Sequence, residues 1–153
     1  MAEKENIKYV VKNRKARHDY SIQETFEAGI ELKGSEVKSL RDGQAQMSDA
    51  YALIENGQVI LRNLNITPYK MSSDPLDPIR PRRLLLHSRQ INKLAAETEQ
   101  KGKTLVPLSI YFKGKLAKVE LALALGRKKY DKREAIAKAE SERRIRRALR
   151  KDL

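Results

Sequence analysis

The chain has 153 residues, the size of a single domain, which argues against a two-domain enzyme. Thirty-three Lys and Arg against 20 Asp and Glu leave a formal charge of +13, which makes a polyanion the first partner to consider. The absence of Cys removes disulfides, thiolate zinc sites and cysteine nucleophiles together. The charge is unevenly placed. Residues 1–20 hold six basic and three acidic side chains, residues 21–125 fifteen and twelve, and residues 126–153 twelve and five, for net charges of +3, +3 and +7. This predicts an N-terminal extension over residues 1–12, a modestly basic domain over 13–125 and a strongly basic tail over 126–153. No apolar stretch has the length of a signal-peptide core, and none approaches the roughly 20 apolar residues of a membrane span, so a soluble cytoplasmic protein is expected.

In chain order, Asn13-Arg14-Lys15-Ala16-Arg17-His18 sets three cations and an imidazole ahead of the first predicted strand. From Asp19 the residues Tyr20, Ile22, Phe26, Ala28, Ile30 and Leu32 share one parity, the pattern of a half-buried antiparallel strand. Ser35 to Arg41, with Val37 and Leu40 three apart, predicts one or two helical turns ended by Asp42-Gly43. Residues 51–54 and 59–66 flank Asn56-Gly57 and predict a hairpin, because both central positions of a type I′ turn need positive φ. Residues 71–83 contain three of the five prolines and predict a long exposed loop without a ladder or helix. Ser88 is placed to cap a helix with the apolar face Ile91, Leu94, Ala95 and Thr98, closed by Gly102. Leu105–Phe112 and Leu116–Leu125 predict a second hairpin with Val119, Leu121, Leu123 and Leu125 on its core face. Beyond Gly126, Asp131 and Glu134 form a capping-box pattern, but the apolar residues Ile136, Ile145 and Leu149 are too sparse for a core-facing stripe. Such a tail is expected to be poorly ordered alone and helical on a partner that neutralises it, or else to be a solubilising segment only.

The fold class is therefore mainly β with short helices, a small antiparallel barrel or a sandwich. The barrel is favoured because an open sheet of this size leaves edges to protect. Catalytic constellations are missing: His18 and His87 are the only histidines, and no metal-binding, Walker, GxGxxG or GxSxG pattern occurs. No cofactor, metal or catalytic residue is expected, and a nuclease is a poor fit. RNA binding fits better. The 13–18 segment and the cluster Arg80, Arg82 and Arg83 both suit phosphate contacts. Tyr20, Phe26 and Phe112 fall on core parity, while Tyr51, Tyr69 and Tyr130 remain open as stacking residues.

Six strings occur in order: NRKARHDY at 13–20, FEAGIELKGSEVKSLR at 26–41, SDAYALI at 48–54, NITPY at 65–69, RPRRLLLH at 80–87 and GRKKYDKRE at 126–134. Together they resemble the SsrA-binding protein family, also called small protein B, from about Asn13 to the C-terminus. The resemblance implies an oligonucleotide-binding-type β-barrel that binds the tRNA-like domain of transfer-messenger RNA (tmRNA). It also implies help with alanylation of that RNA, and its delivery with elongation factor Tu to stalled ribosomes. Alanyl-tRNA synthetase and elongation factor Tu would be partners only through the RNA, and the chain would act as a monomer without a membrane. The RNA-facing residues implied are Arg17, His18, Glu27, Lys38, Arg41, Leu85 and His87. Leu85 is equally compatible with ordinary core packing, and Glu27 with holding a neighbouring Arg. In the tail, Gly126, Lys128, Lys129, Tyr130, Asp131, Lys132 and Arg133 would enter the vacant decoding site and messenger channel, against small-subunit rRNA. Tyr130 stands where the family usually has His, which keeps stacking and removes an imidazole proton. Gln90 stands where many relatives have Glu at a helix start.

Overall fold

A computed structural model of the chain describes residues 6–71, 76–126 and 143–145. The elements are β1 (Ile7–Lys12), α1 (Arg14–Asp19), β2 (Tyr20–Ile30), α2 (Gly34–Arg41), β3 (Ala45–Gln46), β4 (Tyr51–Glu55), β5 (Gln58–Arg62), β6 (Asn65–Ile66), β7 (Arg82–Leu85), α3 (Ser88–Thr98), β8 (Lys103–Lys113) and β9 (Leu116–Gly126). Every pairing is antiparallel. The order β8-β4-β5-β7-β2-β9 closes through the β8–β9 pairing into a six-stranded barrel, which removes the exposed edges an open sheet would carry. β1 pairs with the C-terminal half of β8, and β3 and β6 form a small separate ladder.

The β4–β5 turn follows its sequence signal: Glu55 pairs with Gln58, and Asn56 and Gly57 have φ of 50° and 73°. The predicted 59–66 strand breaks at Asn63, whose φ of 62° turns the chain out of β5 and into β6. The proline-rich segment is shorter as a loop than expected. Pro81 lies just before β7, so Arg82 and Arg83 belong to a strand and their backbone is free to pair with β5. Within the expected N-terminal extension, Ile7–Lys12 form a strand that pairs with β8.

The main core gathers Phe26, Ala28, Ile30, Leu61, Leu84, Leu105, Ile110, Phe112, Val119, Leu121 and Leu123, with Leu40 of α2 and Leu94 of α3 packed into it. A second, smaller cluster lies on the outer side of the wall. Val106, Leu108, Ala122 and Ala124 are covered there by Ala16 of α1, with Tyr20 and Ile22 against them. Two β-bulges explain how the cluster arises. The β2–β9 register shifts between Ile22 and Glu24, and the β8–β9 register shifts between Pro107 and Ser109. Each bulge inserts one residue and inverts the facing of everything beyond it. Ile22 and Phe26 therefore face opposite sides although they share parity, and so do Leu108 and Ile110. The single apolar face read along β2 is divided between two clusters.

Candidate nucleic-acid interface

α1 exists because Asn13 holds its start. The Asn13 Oδ1 accepts from the Ala16 N–H at 3.0 Å, and its Nδ2 donates to the Met47 and Pro107 carbonyls at 3.1 and 3.0 Å. Its own N–H donates to the Leu108 carbonyl at 2.8 Å. Asn13 is buried and every polar atom of its side chain is used, so its part in the 13–18 segment is structural. Ala16 seats the helix on the outer cluster, and Arg17 and His18 occupy its exposed last turn, where the carbonyl end favours cations.

The ladder register lays out the outer face in rows. Leu85, Gly29, Lys118, Tyr111 and Tyr9 stand side by side on β7, β2, β9, β8 and β1. The neighbouring row is Glu27, Glu120, Ser109 and Lys12. The Arg17 guanidinium reaches this row and donates to Glu120 at 3.3 Å, and Ser109 Oγ donates to the other oxygen of Glu120 at 3.2 Å. Glu27 accepts from the Tyr111 hydroxyl and from Lys113 Nζ at 3.4 Å. Burial, and then the Glu27 carboxylate, raise the Tyr111 phenol above its ordinary value, so it stays a donor. The nearby Arg17 is held by Glu120, one strand over from Glu27. Leu85 is 47 % exposed, which decides against core packing for it. Its Cβ overlies Gly29, where an added Cβ would approach to 3.3 Å, so the glycine lets the leucine lie flat on the sheet.

His87 is exposed, two residues beyond Leu85, and is the residue that caps α3 in place of Ser88. Gln90 Oε1 accepts from the His87 N–H at 3.1 Å, so Gln performs this half of the capping box as Glu would. Arg17, Glu27 and Leu85 thus share one outer face, with His18 next to Arg17 on the last turn of α1, and His87 follows at its β7 border.

Lys38 and Arg41 are presented separately, on α2. Lys38 Nζ lies 5.5 Å from the Tyr69 ring centroid, and the Arg41 guanidinium lies 4.4 Å from that of Phe112. α2 is anchored by Glu36, a buried carboxylate at its third position. One oxygen accepts from the Lys33 N–H at 2.8 Å and from Arg80 Nη2, and the other from Arg80 Nε at 3.1 Å and Arg82 Nε and Nη2 at 2.8 and 2.6 Å. Burial pushes the carboxyl upward, but hydrogen bonds from Arg80, the Lys33 backbone and Arg82 outweigh it and hold the group below its ordinary value. Arg82 also donates to the Leu64 and Pro78 carbonyls at 2.6 and 3.1 Å. Its side chain is fully buried, so the sequence expectation of a phosphate contact at Arg82 is corrected. Arg83 pairs with Glu31 at the surface. Among the described residues, no group of three or more His, Cys, Asp or Glu is placed to hold a metal ion, and no helix is long and apolar enough to cross a membrane.

The sequence profile of the SmpB protein family matches residues 10–151. The chain belongs to the SmpB, or SsrA-binding protein, family. An SsrA-binding protein of Halothermothrix orenii is 56% identical over 146 residues, covering 95% of this chain and 94% of that one. One of Geobacillus thermodenitrificans is 51% identical over 144 residues, covering 94% and 93%. A solved chain from a structure of tmRNA-SmpB in the bacterial ribosome has 53% identity and a TM-score of 0.65, over 76% of this chain and 82% of that chain. The SmpB fold accounts for the mainly antiparallel architecture described above. Of the tail positions singled out in the sequence, Gly126 ends β9, with its N–H donating to the Gly102 carbonyl at 3.1 Å. Lys128, Lys129, Tyr130, Asp131, Lys132 and Arg133 lie outside the described residues, as do Glu134 and the rest of the predicted tail except residues 143–145, which are helical and exposed. Tyr111, Ser109 and Glu120 went unnoticed in the sequence as parts of this SmpB face. Glu120 had a signal, since it sits on the polar parity between Val119 and Leu121; Tyr111 had none, because the bulge at Leu108 resets the parity of β8.

Proposed function

We propose that the chain is a non-enzymatic RNA-binding adaptor of trans-translation. It binds the tRNA-like domain of tmRNA through the outer barrel face and α2, and promotes alanylation of that RNA. It accompanies the RNA to stalled ribosomes, with elongation factor Tu and alanyl-tRNA synthetase engaged through the RNA. The observation that carries this reading is the convergence of Arg17, Glu27 and Leu85 on one face of a family barrel, with His18 beside Arg17 on α1, although these residues are spread over almost 70 positions of sequence. Chemically the face offers a guanidinium and an imidazole for phosphates and bases, a carboxylate acceptor for a base amino group, and an apolar side chain for a base or sugar. Lys38 and Arg41 add two cations on a helix whose orientation Glu36 fixes. The basic tail from Gly126, including Lys128, Lys129, Tyr130, Asp131, Lys132 and Arg133, occupies the vacant decoding site and messenger channel, with Tyr130 stacking where the family's His usually stands. The site of action is the cytoplasm, where ribosomes are.

Gel-shift titration against the tRNA-like domain and an unrelated hairpin of equal length tests the reading. Preference for the tRNA-like domain is expected to persist across a salt series, since counterion release alone is blind to the fold of the RNA. Equal affinity for both RNAs at every salt would sink it. Truncation after Leu125 is expected to leave binding of the tRNA-like domain intact and to abolish tagging of nascent chains on stalled ribosomes in a reconstituted translation system. Loss of RNA binding on truncation would move the tail into the first interface.

A further inference from the structure

We propose that Tyr9 and Lys12 of β1 form a stacking platform that extends the RNA face: an unpaired base lies on the Tyr9 ring and Lys12 meets the adjoining phosphate. The inference rests on the RNA-binding reading above and adds to it a strand that sequence patterning had placed outside the domain. Period-2 alternation would put residues 9 and 12 on opposite faces. The β1–β8 register shifts between Tyr9 and Val11, so Tyr9 opposes Tyr111 and Lys12 opposes Ser109, both on the outer face. Tyr9 continues the Leu85, Gly29, Lys118, Tyr111 row, and Lys12 continues the Glu27, Glu120, Ser109 row.

The ring is both accessible and held. Tyr9 is 50 % exposed, and its other side rests on Tyr111, with ring centroids 5.5 Å apart and planes inclined by 52°. Tyr111 is buried, and its hydroxyl is fixed on Glu27, so the platform is supported from the barrel wall and loses little freedom on binding. Lys12 Nζ lies 4.6 Å from the Tyr9 centroid. A base displaces it. An exposed cation–π contact is worth less than base stacking on an aromatic ring, and the released ammonium gains a phosphate. Glu27 is held by Tyr111 and Lys113, and Glu120 by Arg17 and Ser109, while the Tyr9 ring stays open as an aromatic surface of this face.

The chain contains no Trp, so Tyr9→Trp introduces a single indole. Titration of this full-length variant with a tRNA-like-domain transcript is expected to quench its emission saturably, at the RNA concentration that half-shifts the protein in a gel. Tyr9→Leu, which keeps an apolar side chain on Tyr111, is expected to weaken binding by about 5- to 150-fold with an unchanged salt slope, because stacking releases no counterions. Tyr9→Phe should bind as the parent does, and Lys12→Ala should lower the salt slope by about one ion. Unchanged indole emission at saturation, or Tyr9→Leu binding like the parent, overturns the platform. If Arg17→Ala or Arg41→Ala still weakens binding in that case, only the platform falls. If the parent does not distinguish the transcript from a hairpin, the underlying RNA reading falls instead.

Discussion

Glu36→Gln is expected to destabilise the barrel by about 3–5 kcal/mol at neutral pH, the range for removing one partner of a buried ion pair. The substitution keeps the volume of the side chain and an oxygen for the Lys33 N–H, so the helix cap survives. It removes the charge that balances Arg82, whose guanidinium is fully buried, and Arg80 beside it. Arg82 cannot respond by losing its proton: burial draws its pKa below the usual value, with Glu36 opposing, but a guanidinium stays charged across the accessible pH range. Glu36 titrates below an ordinary carboxyl, so its ionised form stabilises the fold. That contribution is complete above the unfolded-state pKa and disappears as pH falls through the lowered folded-state value. The gap between parent and Glu36→Gln should therefore be widest at pH 6–8, well above an ordinary carboxyl pKa of about 4.3, and should close under acid. Urea denaturation at several pH values measures it, and a gap under about 1 kcal/mol at pH 7, or one that does not close, would contradict the assignment. Because the same carboxylate joins α2 to β7, the variant should also weaken RNA binding through Lys38 and Arg41. Its effect on affinity should couple to Arg41→Ala and add independently to Arg17→Ala.

Asn13→Ala is expected to cost about 3–7 kcal/mol. Loss of an N-cap oxygen accounts for about 1 kcal/mol, and the buried Met47 and Pro107 carbonyls each lose a donor, at about 1–3 kcal/mol before any water enters. Asn13→Asp separates the two roles. Aspartate caps helices as well as asparagine does, so a cap-only role predicts near-parental stability. The structure predicts a loss at least as large as for alanine, because a carboxylate would replace a donor with a buried acceptor facing two carbonyls. Urea transitions with an unchanged slope measure the loss, and a stable Asn13→Asp protein would refute the two carbonyl contacts. β8 tolerates a proline near its middle because the register shifts directly after it, between Pro107 and Ser109, and a bulge is where a strand accommodates a residue without an N–H.

Local chemistry was legible wherever a few adjacent residues decide the conformation. Asn56-Gly57 specified a two-residue turn because positive φ is cheap for those residues, and alternation along Val119, Leu121 and Leu123 specified a core-facing strand. The resemblance to the family put forward Arg17, His18, Glu27, Lys38, Arg41, Leu85 and His87 as a set, but not their arrangement. Arg82 shows why composition misleads. Beside Arg80 and Arg83 it resembles a phosphate contact, and only Glu36, 46 positions away, shows it to be an internal ion-pair partner.

By itself, then, the sequence determined the strand-rich class, the position of the excess charge and the family, because the first two follow from composition and short-range pattern and the third from the resemblance carried by six ordered motif strings. The tertiary structure decided which side of the wall each residue occupies. A period-2 pattern carries facing only until the first bulge, and bulges near Val10, Gln23 and Leu108 each invert it. Those inversions create an apolar patch on the outside for α1 to cover, and so bring Arg17 to Glu120 beside Glu27 and Tyr9 beside Lys12. Their positions depend on which residues oppose one another across strands distant in sequence, and that is a property of the closed barrel.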